Sequence, residues 1–288
     1  MMQQDRLLDL ALDAVGDQLV HVCLRLLNLS RNDKTAALKL CNSLQETYHS
    51  MIPYTLANEV AEKLLDRVDS LSSRIRQYSK EPWKEEILQN LVSAIIHPAV
   101  TVIELSSSPE HIFPFGIKLN FLVPLVYSRL YSLNNLKVLR LGRSQCDQWF
   151  VNSINVSKTL EELTFIHNCN DKVLAQLPAL CKYLKRVNVR DSRQVTDASV
   201  ETFLSMRNLE QLNIVGTRIS EAGLTKLLQG LSDRECTDSK EIKSFGCSYI
   251  TYNQLNSLVN KLPNLMEIQL SKLCCIRFIA TGNSEEFT

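Results

Sequence analysis

The stretch LKRVNVRDSRQVTDASVETFLSMRNLEQLNI, residues 184–214, contains one short phrase twice. The phrase is an apolar residue, two other residues, a second apolar residue, one other residue and a third apolar residue, as in Leu184-Val187-Val189. It recurs as Leu209-Leu212-Ile214, at a spacing of 25 residues (214 − 189). Apolar side chains that alternate with other residues are typical of a strand with one buried face. Residues 184–214 therefore predict two consecutive repeats, each with one short strand.

The same phrase occurs seven times from residue 100 onward. Its third apolar residue falls at positions 105, 141, 165, 189, 214, 247 and 270. Four of the six intervals are 23 to 25 residues long, which is the period of leucine-rich repeats. The other two, of 36 residues (141 − 105) and 33 residues (247 − 214), indicate insertions. We therefore predict an α/β fold: a solenoid of about seven leucine-rich repeats with a parallel concave sheet and a helical convex side.

Two of the repeats contain polar residues that indicate a sub-class. Ser192 and Thr217 follow the strands, where they should bond free backbone groups at the turn. Thr196 and Ser220 stand where a helix cap is wanted. This pattern resembles the ribonuclease-inhibitor and cysteine-containing classes of leucine-rich repeat.

Composition limits the possible partners. The chain of 288 residues has room for one solenoid and a second domain. Its net charge of +1 does not indicate a nucleic-acid partner. No apolar run reaches the roughly 20 residues of a membrane span, and the residues after Met1 lack the basic flank of a signal peptide. We expect no nucleic-acid or membrane partner and a cytoplasmic and/or nuclear location.

The sequence contains no convincing catalytic or metal site. Its nine cysteines are scattered without a CxxC pair, so we expect free buried thiols in a reducing compartment. None of the five histidines pairs with another at metal-ligand spacing, and no glycine-rich phosphate loop occurs. His167 and Cys169 could form a thiol site, but a turn histidine and a structural cysteine are favoured. We expect no catalytic residue, no cofactor and no metal.

Residues 1–97 have apolar residues at helical spacing and predict an N-terminal all-α domain. Asn32-Asp33 can cap a second helix, Pro53 opens a third and Pro82 opens a fourth. Residues 98–288 form the repeat domain. Every solenoid must cover the end of its apolar core, and this capping is the simplest role for the N-terminal helices.

The first helices allow a second interpretation, because their apolar residues match the spacing of an elongin-binding helix and the start of a cullin-2 box. Such a helix lays a few apolar side chains into a groove of its partner. Any leucine-rich core helix produces the same spacing, so both interpretations stand. The candidate ligase-docking residues are Leu7, Ala11, Val15, Leu19, Cys23, Ile52, Pro53 and Leu56.

Residues 52–65, IPYTLANEVAEKLL, followed by residues 194–224, QVTDASVETFLSMRNLEQLNIVGTRISEAGL, resemble two related families. One is the family of leucine-rich repeat-containing protein 42, which is intracellular. The other is the zyg-11 group, whose members act as substrate receptors of cullin-2 ubiquitin ligases. The resemblance covers most of the chain in order. It implies elongin B/C and cullin-2 as partners, together with a substrate protein that the sequence does not identify.

The residues between the inward apolar ones should point outward on the concave face. There, Arg140, Arg186 and Arg190 are predicted to form a basic patch with Glu162 between them. The planar fork of arginine binds carboxylate and phosphate groups bidentately, so the patch predicts docking of an acidic or phosphorylated peptide. The alternative is a solvated polar face. The predicted partner-binding residues are Arg140, Glu162, Arg186, Asn188, Arg190, Gln211 and Asn213.

These observations predict a protein-binding adaptor without catalysis of its own. In its more specific form it is a substrate receptor of a cullin-2/elongin-type ubiquitin ligase. Residues 1–97 would then dock the ligase, and the concave face would hold the substrate. The alternative is a stand-alone intracellular scaffold or inhibitor, in which the helices only cap the solenoid.

Overall fold

The structure is a computed structural model in which helices precede a sheet. It describes residues 10–19, 21–22, 24–25, 33–78, 82–105, 125–126, 129–143, 158–167, 169–233, 242–262, 265–270 and 275–277. Residues 10–19 are helical. They are followed by helix α1 (Lys34–Met51), a 3-10 turn (Tyr54–Leu56), α2 (Ala57–Tyr78) and α3 (Pro82–Ile95).

The predicted starts of these helices are confirmed. The Asp33 side chain caps α1 by accepting a hydrogen bond of 3.0 Å from the Ala36 amide. Pro53 directly precedes the 3-10 turn that leads into α2, and Pro82 is the first residue of α3. A proline is favoured there because its fixed φ suits the first helical turn and its missing N–H is not needed.

One eight-stranded sheet follows, with its strands in chain order. Seven strands are parallel and the last is antiparallel to the seventh. The strands are β1 (Val102–Leu105), β2 (Val138–Arg143), β3 (Glu162–Ile166), β4 (Arg186–Asn188), β5 (Gln211–Asn213), β6 (Ser244–Cys247), β7 (Glu267–Leu270) and β8 (Cys275–Arg277). The helices between them are α4 (Asp171–Leu174), α5 (Leu177–Leu180), α6 (Val200–Ser205), α7 (Glu221–Ser232) and α8 (Tyr252–Lys261).

The register of the sheet follows the sequence phrase. The middle apolar residue of each phrase pairs with the middle residue of the next, and all seven are buried: Ile103, Leu139, Leu163, Val187, Leu212, Phe245 and Ile268. The predicted parallel sheet is therefore confirmed, within a solenoid-like α/β fold. The predicted insertions include residues 106–124 and 234–241, which lie outside the described residues.

The polar turn residues make the bonds expected from the sequence. Ser192 is fully buried and accepts a hydrogen bond of 3.1 Å from the Cys169 amide of the preceding unit. The Thr217 hydroxyl donates to the Ile214 carbonyl at 2.8 Å. Thr196 and Ser220 both act as N-caps, as predicted.

Aspartates join successive units on the helical side of the sheet. Asp171 accepts hydrogen bonds from the Thr196 amide at 2.9 Å, the Thr196 hydroxyl at 2.7 Å and the Ser199 hydroxyl at 2.5 Å. Asp197, one unit later, accepts from the amide of Ser220 at 2.7 Å and from its hydroxyl at 2.5 Å. Each aspartate thereby holds the cap residue of the following unit, which fixes the distance between consecutive helices.

A shared acceptor ties the start of each strand to the preceding unit. The amides of Glu161 and Glu162 both donate to the Lys137 carbonyl, at 2.8 and 2.9 Å. Those of Lys185 and Arg186 both donate to the Glu161 carbonyl, at 2.8 and 3.0 Å. The same pairing continues through the starts of β5, β6 and β7. One carbonyl therefore sets the position of each new strand.

A side chain provides this acceptor for the first strand. The amides of Thr101 and Val102 donate to the Asn58 Oδ1 atom at 2.9 and 3.2 Å, and Asn58 Nδ2 donates to the Thr101 hydroxyl at 2.9 Å. Asn58 belongs to α2, which packs on β1. Its carboxamide occupies the place that a peptide group holds in every later unit, so α2 completes the edge of the sheet.

This arrangement gives a stability prediction. Replacing Asn58 with Ala leaves the Thr101 and Val102 amides without this acceptor, and we expect the free energy of unfolding to fall by about 2 kcal/mol. Asn58→Asp keeps an acceptor oxygen and should lose less. Urea unfolding followed by circular dichroism measures the change.

Asn90→Ala is the matched control, because Asn90 is half-buried but bonds only to the Glu86 carbonyl of its own helix. We expect a change within about 0.5 kcal/mol for this variant. Equal losses for Asn58→Ala and Asn90→Ala would contradict the edge-completing role of Asn58.

Candidate functional site

The outward side chains of the sheet form two straight rows, because the register aligns equivalent positions of successive strands. Six of the seven predicted partner-binding residues lie on these rows, and Arg190 follows the end of β4. The first row is Val102, Val138, Glu162, Arg186, Gln211, Ser244 and Glu267. The second row is Glu104, Arg140, Thr164, Asn188, Asn213, Gly246 and Gln269.

Charges alternate across the first four strands of this face. Arg140 Nη1 lies 2.9 Å from Glu104 Oε2, and Arg140 Nε lies 2.5 Å from Glu162 Oε1. The other oxygen of Glu162, Oε2, lies 2.7 Å from Arg186 Nε. Hydrogen bonds to Glu162 and Glu104 raise the pKa of the Arg140 guanidinium. The Glu162 side chain is only 10% exposed and joins two arginines that are both more than 40% exposed.

The predicted basic patch is therefore corrected. Arg140 is held between two carboxylates, and Arg190 Nε lies 3.4 Å from Asp191 Oδ2. Glu162 lies between Arg140 and Arg186, as predicted, but it is buried and contacts both of them. The three arginines do not present an unneutralised cationic surface.

A second row of alternating charges lies at the residues that directly precede the strands. Lys185 Nζ is 2.7 Å from Glu161 Oε2, and Lys243 Nζ is 2.9 Å from Glu210 Oε2. The hydrogen bond from Lys185 lowers the pKa of the Glu161 carboxyl. Partly exposed pairs of this kind contribute at most about 1 kcal/mol each, so their main effect is to cancel charge between neighbouring units.

Beyond β4 the face is rich in amides. The Oδ1 atoms of Asn188 and Asn213 accept hydrogen bonds from the amides of Arg190 and Val215, at 3.2 and 3.1 Å. Asn213 Nδ2 also donates to Gln269 Oε1 at 2.7 Å, across the intervening Gly246. A Cβ atom at Gly246 would lie 2.8 Å from the carboxamide of Asn213, so this bond requires glycine between the two amides.

The N-terminal docking candidates lie on a helix whose two faces differ. Leu12 and Leu19 are buried, and a Cβ atom at Gly16 would lie 3.3 Å from the Arg67 side chain of α2. Arg67 also pairs with Asp13 of this helix at 3.6 Å. The helix therefore packs one face on α2.

The opposite face of this helix carries part of the first predicted triplet. Ala11 is exposed, Val15 is 43% exposed, and Leu10 next to them is 61% exposed. Leu7 and Cys23 lie outside the described residues. Leu19 is corrected as a docking candidate, because its side chain belongs to the buried core. The structure thus separates Ala11 and Val15 from Leu19.

The candidate cullin-box residues lie at the turn between α1 and α2. Ile52 and Leu56 are partly buried against the core, while Pro53 is exposed. Sequence reasoning missed the two neighbours that expose most apolar surface here, Met51 at 74% and Tyr54 at 78%. In the sequence, the only sign that these two residues belong to a candidate site is their position near Pro53.

His167 and Cys169, the residues of the alternative thiol site, lie at and just after the end of β3. Cys169 is fully buried, and its amide donates to Ser192. His167 has a φ of 80° at the end of β3, and its Nε2 lies 3.9 Å from Asp191 Oδ2. Over the described part of the chain, no group of three or more His, Cys, Asp or Glu residues could hold a metal ion, and no helix is long and apolar enough to cross a membrane.

Five of the nine cysteines lie in described residues, and four of these are free and buried: Cys41, Cys169, Cys181 and Cys247. Burial raises the pKa of the Cys41 thiol to about 11 and those of Cys181 and Cys247 to about 12. This agrees with the free buried thiols expected from the sequence.

No protein-family model matches this sequence, and no curated protein matches it significantly.

The raised pKa values predict slow alkylation of these thiols. Only a thiolate reacts, and at pH 8 about one in a thousand Cys41 thiols is ionised if its pKa is about 11. We expect iodoacetamide to modify Cys41, Cys181 and Cys247 at least about a hundredfold more slowly in the native chain than in urea, because ionisation and access are both reduced. Peptide mapping by mass spectrometry measures the rates. Similar rates in the two states would show that the thiols are reactive.

Proposed function

We propose that this chain is a non-catalytic protein-binding adaptor, with an N-terminal helical domain followed by leucine-rich repeats of the ribonuclease-inhibitor and cysteine-containing type. Support for the repeat class comes from the strand order, which equals the chain order, and from equivalent caps at Thr196 and Ser220. Support for the binding role comes from an outward sheet face with polar and charged side chains in two rows. Such mixed surfaces are usual in contacts between proteins.

In its specific form, the proposal is a substrate receptor of a cullin-2/elongin-type ubiquitin ligase. The observation that carries it is the exposure of three apolar side chains on the first helix, Leu10, Ala11 and Val15. Neighbouring exposed apolar side chains on a helix are suited to a hydrophobic groove. Elongin B/C would bind this face, and cullin-2 would contact the turn at Ile52, Pro53 and Leu56.

The outward sheet face would then hold the substrate protein, and the expected location is cytoplasmic and/or nuclear. In the second candidate function, the chain is a stand-alone intracellular scaffold or inhibitor. The Asn58 contacts favour this alternative, because they give the N-terminal helices a structural role that needs no ligase.

Affinity purification of the full chain from cells distinguishes the two functions. We expect elongin B, elongin C and cullin-2 to copurify with the wild-type chain. The Ala11→Asp/Val15→Asp variant should recover at least about tenfold less of them, because two charges would enter an apolar groove. Both altered residues are exposed, so the thermal unfolding temperature should stay the same.

Tyr183→Asp is the matched control, because Tyr183 is also a large exposed apolar residue but lies in the turn before β4. The Tyr183→Asp variant should recover as much elongin B, elongin C and cullin-2 as the wild-type chain does. Absence of elongins from the wild-type purification, or undiminished recovery with the double variant, would exclude the ligase role.

A further inference from the structure

The outward face contains three neighbouring polar side chains with unused hydrogen-bonding capacity. Arg186 of β4 and Gln211 of β5 are direct partners in the register, and Asn188 lies two residues beyond Arg186 on the same face. Neighbouring strands are about 4.8 Å apart, and alternate residues of a strand are about 7 Å apart. The three side chains are therefore close enough for one short segment of a partner to contact them all.

Each of these three side chains has hydrogen-bonding groups that make no bond to another described residue. The Arg186 atom that lies 2.7 Å from Glu162 is Nε, and no hydrogen bond joins its two Nη groups to another described residue. Asn188 uses its Oδ1 atom to accept from the Arg190 amide, while its Nδ2 group bonds to no described residue. The side-chain amide of Gln211 likewise makes no hydrogen bond within the described part of the chain.

Arg186 is the least neutralised arginine of the alternating charges. Glu162 divides its single negative charge between Arg140 and Arg186, whereas Arg140 receives a second carboxylate from Glu104. The Nε atom of Arg186 lies 2.7 Å from Oε2 of buried Glu162, which anchors the guanidinium through its Nε side. Its Nη edge is therefore held ready, and a fixed planar fork matches the two oxygens of a carboxylate.

We infer that Arg186, Asn188 and Gln211 form a docking site for one aspartate or glutamate side chain in an extended segment of a protein partner. The partner's carboxylate binds the Nη edge of Arg186. Asn188 donates from Nδ2 to a backbone carbonyl of the same segment, and the Gln211 carboxamide can match one of its peptide groups as donor and acceptor. This inference rests on the proposed adaptor function.

The local charge favours a carboxylate over a phosphate. A phosphorylated residue carries close to two negative charges at neutral pH. Arg140 is balanced by Glu104 and by a share of Glu162, Arg186 has only the remaining share of Glu162, and the nearby Lys185 is paired with Glu161. One incompletely neutralised arginine suits a single negative charge, so a phosphopeptide is the less suitable occupant.

A random peptide library displayed on phage, selected on the intact chain, tests this site. We expect the selected peptides to share one acidic residue between uncharged neighbours. The best peptide is then synthesised in three forms, with the acid, with the matching amide and with phosphoserine at that position. Isothermal titration calorimetry should show about tenfold to hundredfold weaker binding for the amide form, since a charged hydrogen bond is lost.

The variants locate the carboxylate on Arg186. Arg186→Gln should weaken binding of the acid-containing peptide about tenfold to hundredfold and leave binding of the amide-containing peptide unchanged. Arg186→Lys keeps the charge without the planar fork. Gln211→Glu places a competing carboxylate beside Arg186 in the register. Both variants should weaken binding of the acid-containing peptide. Arg193→Gln is the matched control, because Arg193 is an exposed arginine in the turn after β4 and should not affect binding.

Several results would overturn the site. These are selection of no peptide, selected peptides without an acidic residue, tighter binding of phosphoserine than of the acid, or an Arg186→Gln variant that binds the acid form normally. If the peptide tests fail but elongins still copurify in a way that depends on Ala11 and Val15, the proposed adaptor function stands. Loss of elongin binding with an intact peptide site would instead exclude only the ligase role.

Discussion

The structure depends on one repeated hydrogen-bonding constraint: a single backbone carbonyl accepts the first two amides of the next strand. Lys137, Glu161, Lys185, Glu210 and Lys243 each provide such a carbonyl. This shared acceptor fixes where each strand starts, so equivalent residues of successive units lie side by side. This alignment produces one row of buried apolar side chains and two rows of outward residues. The first strand needs the same acceptor, and Asn58 of α2 supplies it.

The chemistry of the outward face follows from this alignment. Because Glu104, Arg140, Glu162 and Arg186 occupy neighbouring strands, opposite charges meet at 2.5 to 2.9 Å and largely cancel. Recognition by such a face cannot depend on a broad electrostatic field. It depends on individual groups whose bonding capacity is unused, and Arg186 at the end of the charged series is the clearest of them.

The sequence predicts the sheet well because its period and alternation are local properties of the chain. The phrase in residues 184–214 predicts the inward residues of β4 and β5, and the caps Thr196 and Ser220 were expected from position alone. The basic patch was wrong for two reasons: the Glu104–Arg140 contact depends on which side chains meet across units, and Asp191, which directly follows Arg190 in the sequence, was overlooked. The sequence gives no signal for Asn58, since its partners lie 43 and 44 residues away.

The N-terminal helices show the same division between local and tertiary information. Period-four spacing identifies Ala11, Val15 and Leu19 equally, but only the tertiary structure buries Leu19 in the core and leaves Ala11 and Val15 exposed. Asn58 and the first helix thus give this region two surfaces, one that completes the sheet and one that remains open. A ligase role requires only the open surface, so capping and docking are compatible.

Hydrogen–deuterium exchange of the intact chain with and without purified elongin B–C complex tests this division most directly. We expect slower exchange in residues 10–19 when the complex is present, with unchanged exchange in β4 and β5. Unchanged exchange in residues 10–19 at saturating elongin B–C, or slower exchange confined to the strands, would contradict this expectation.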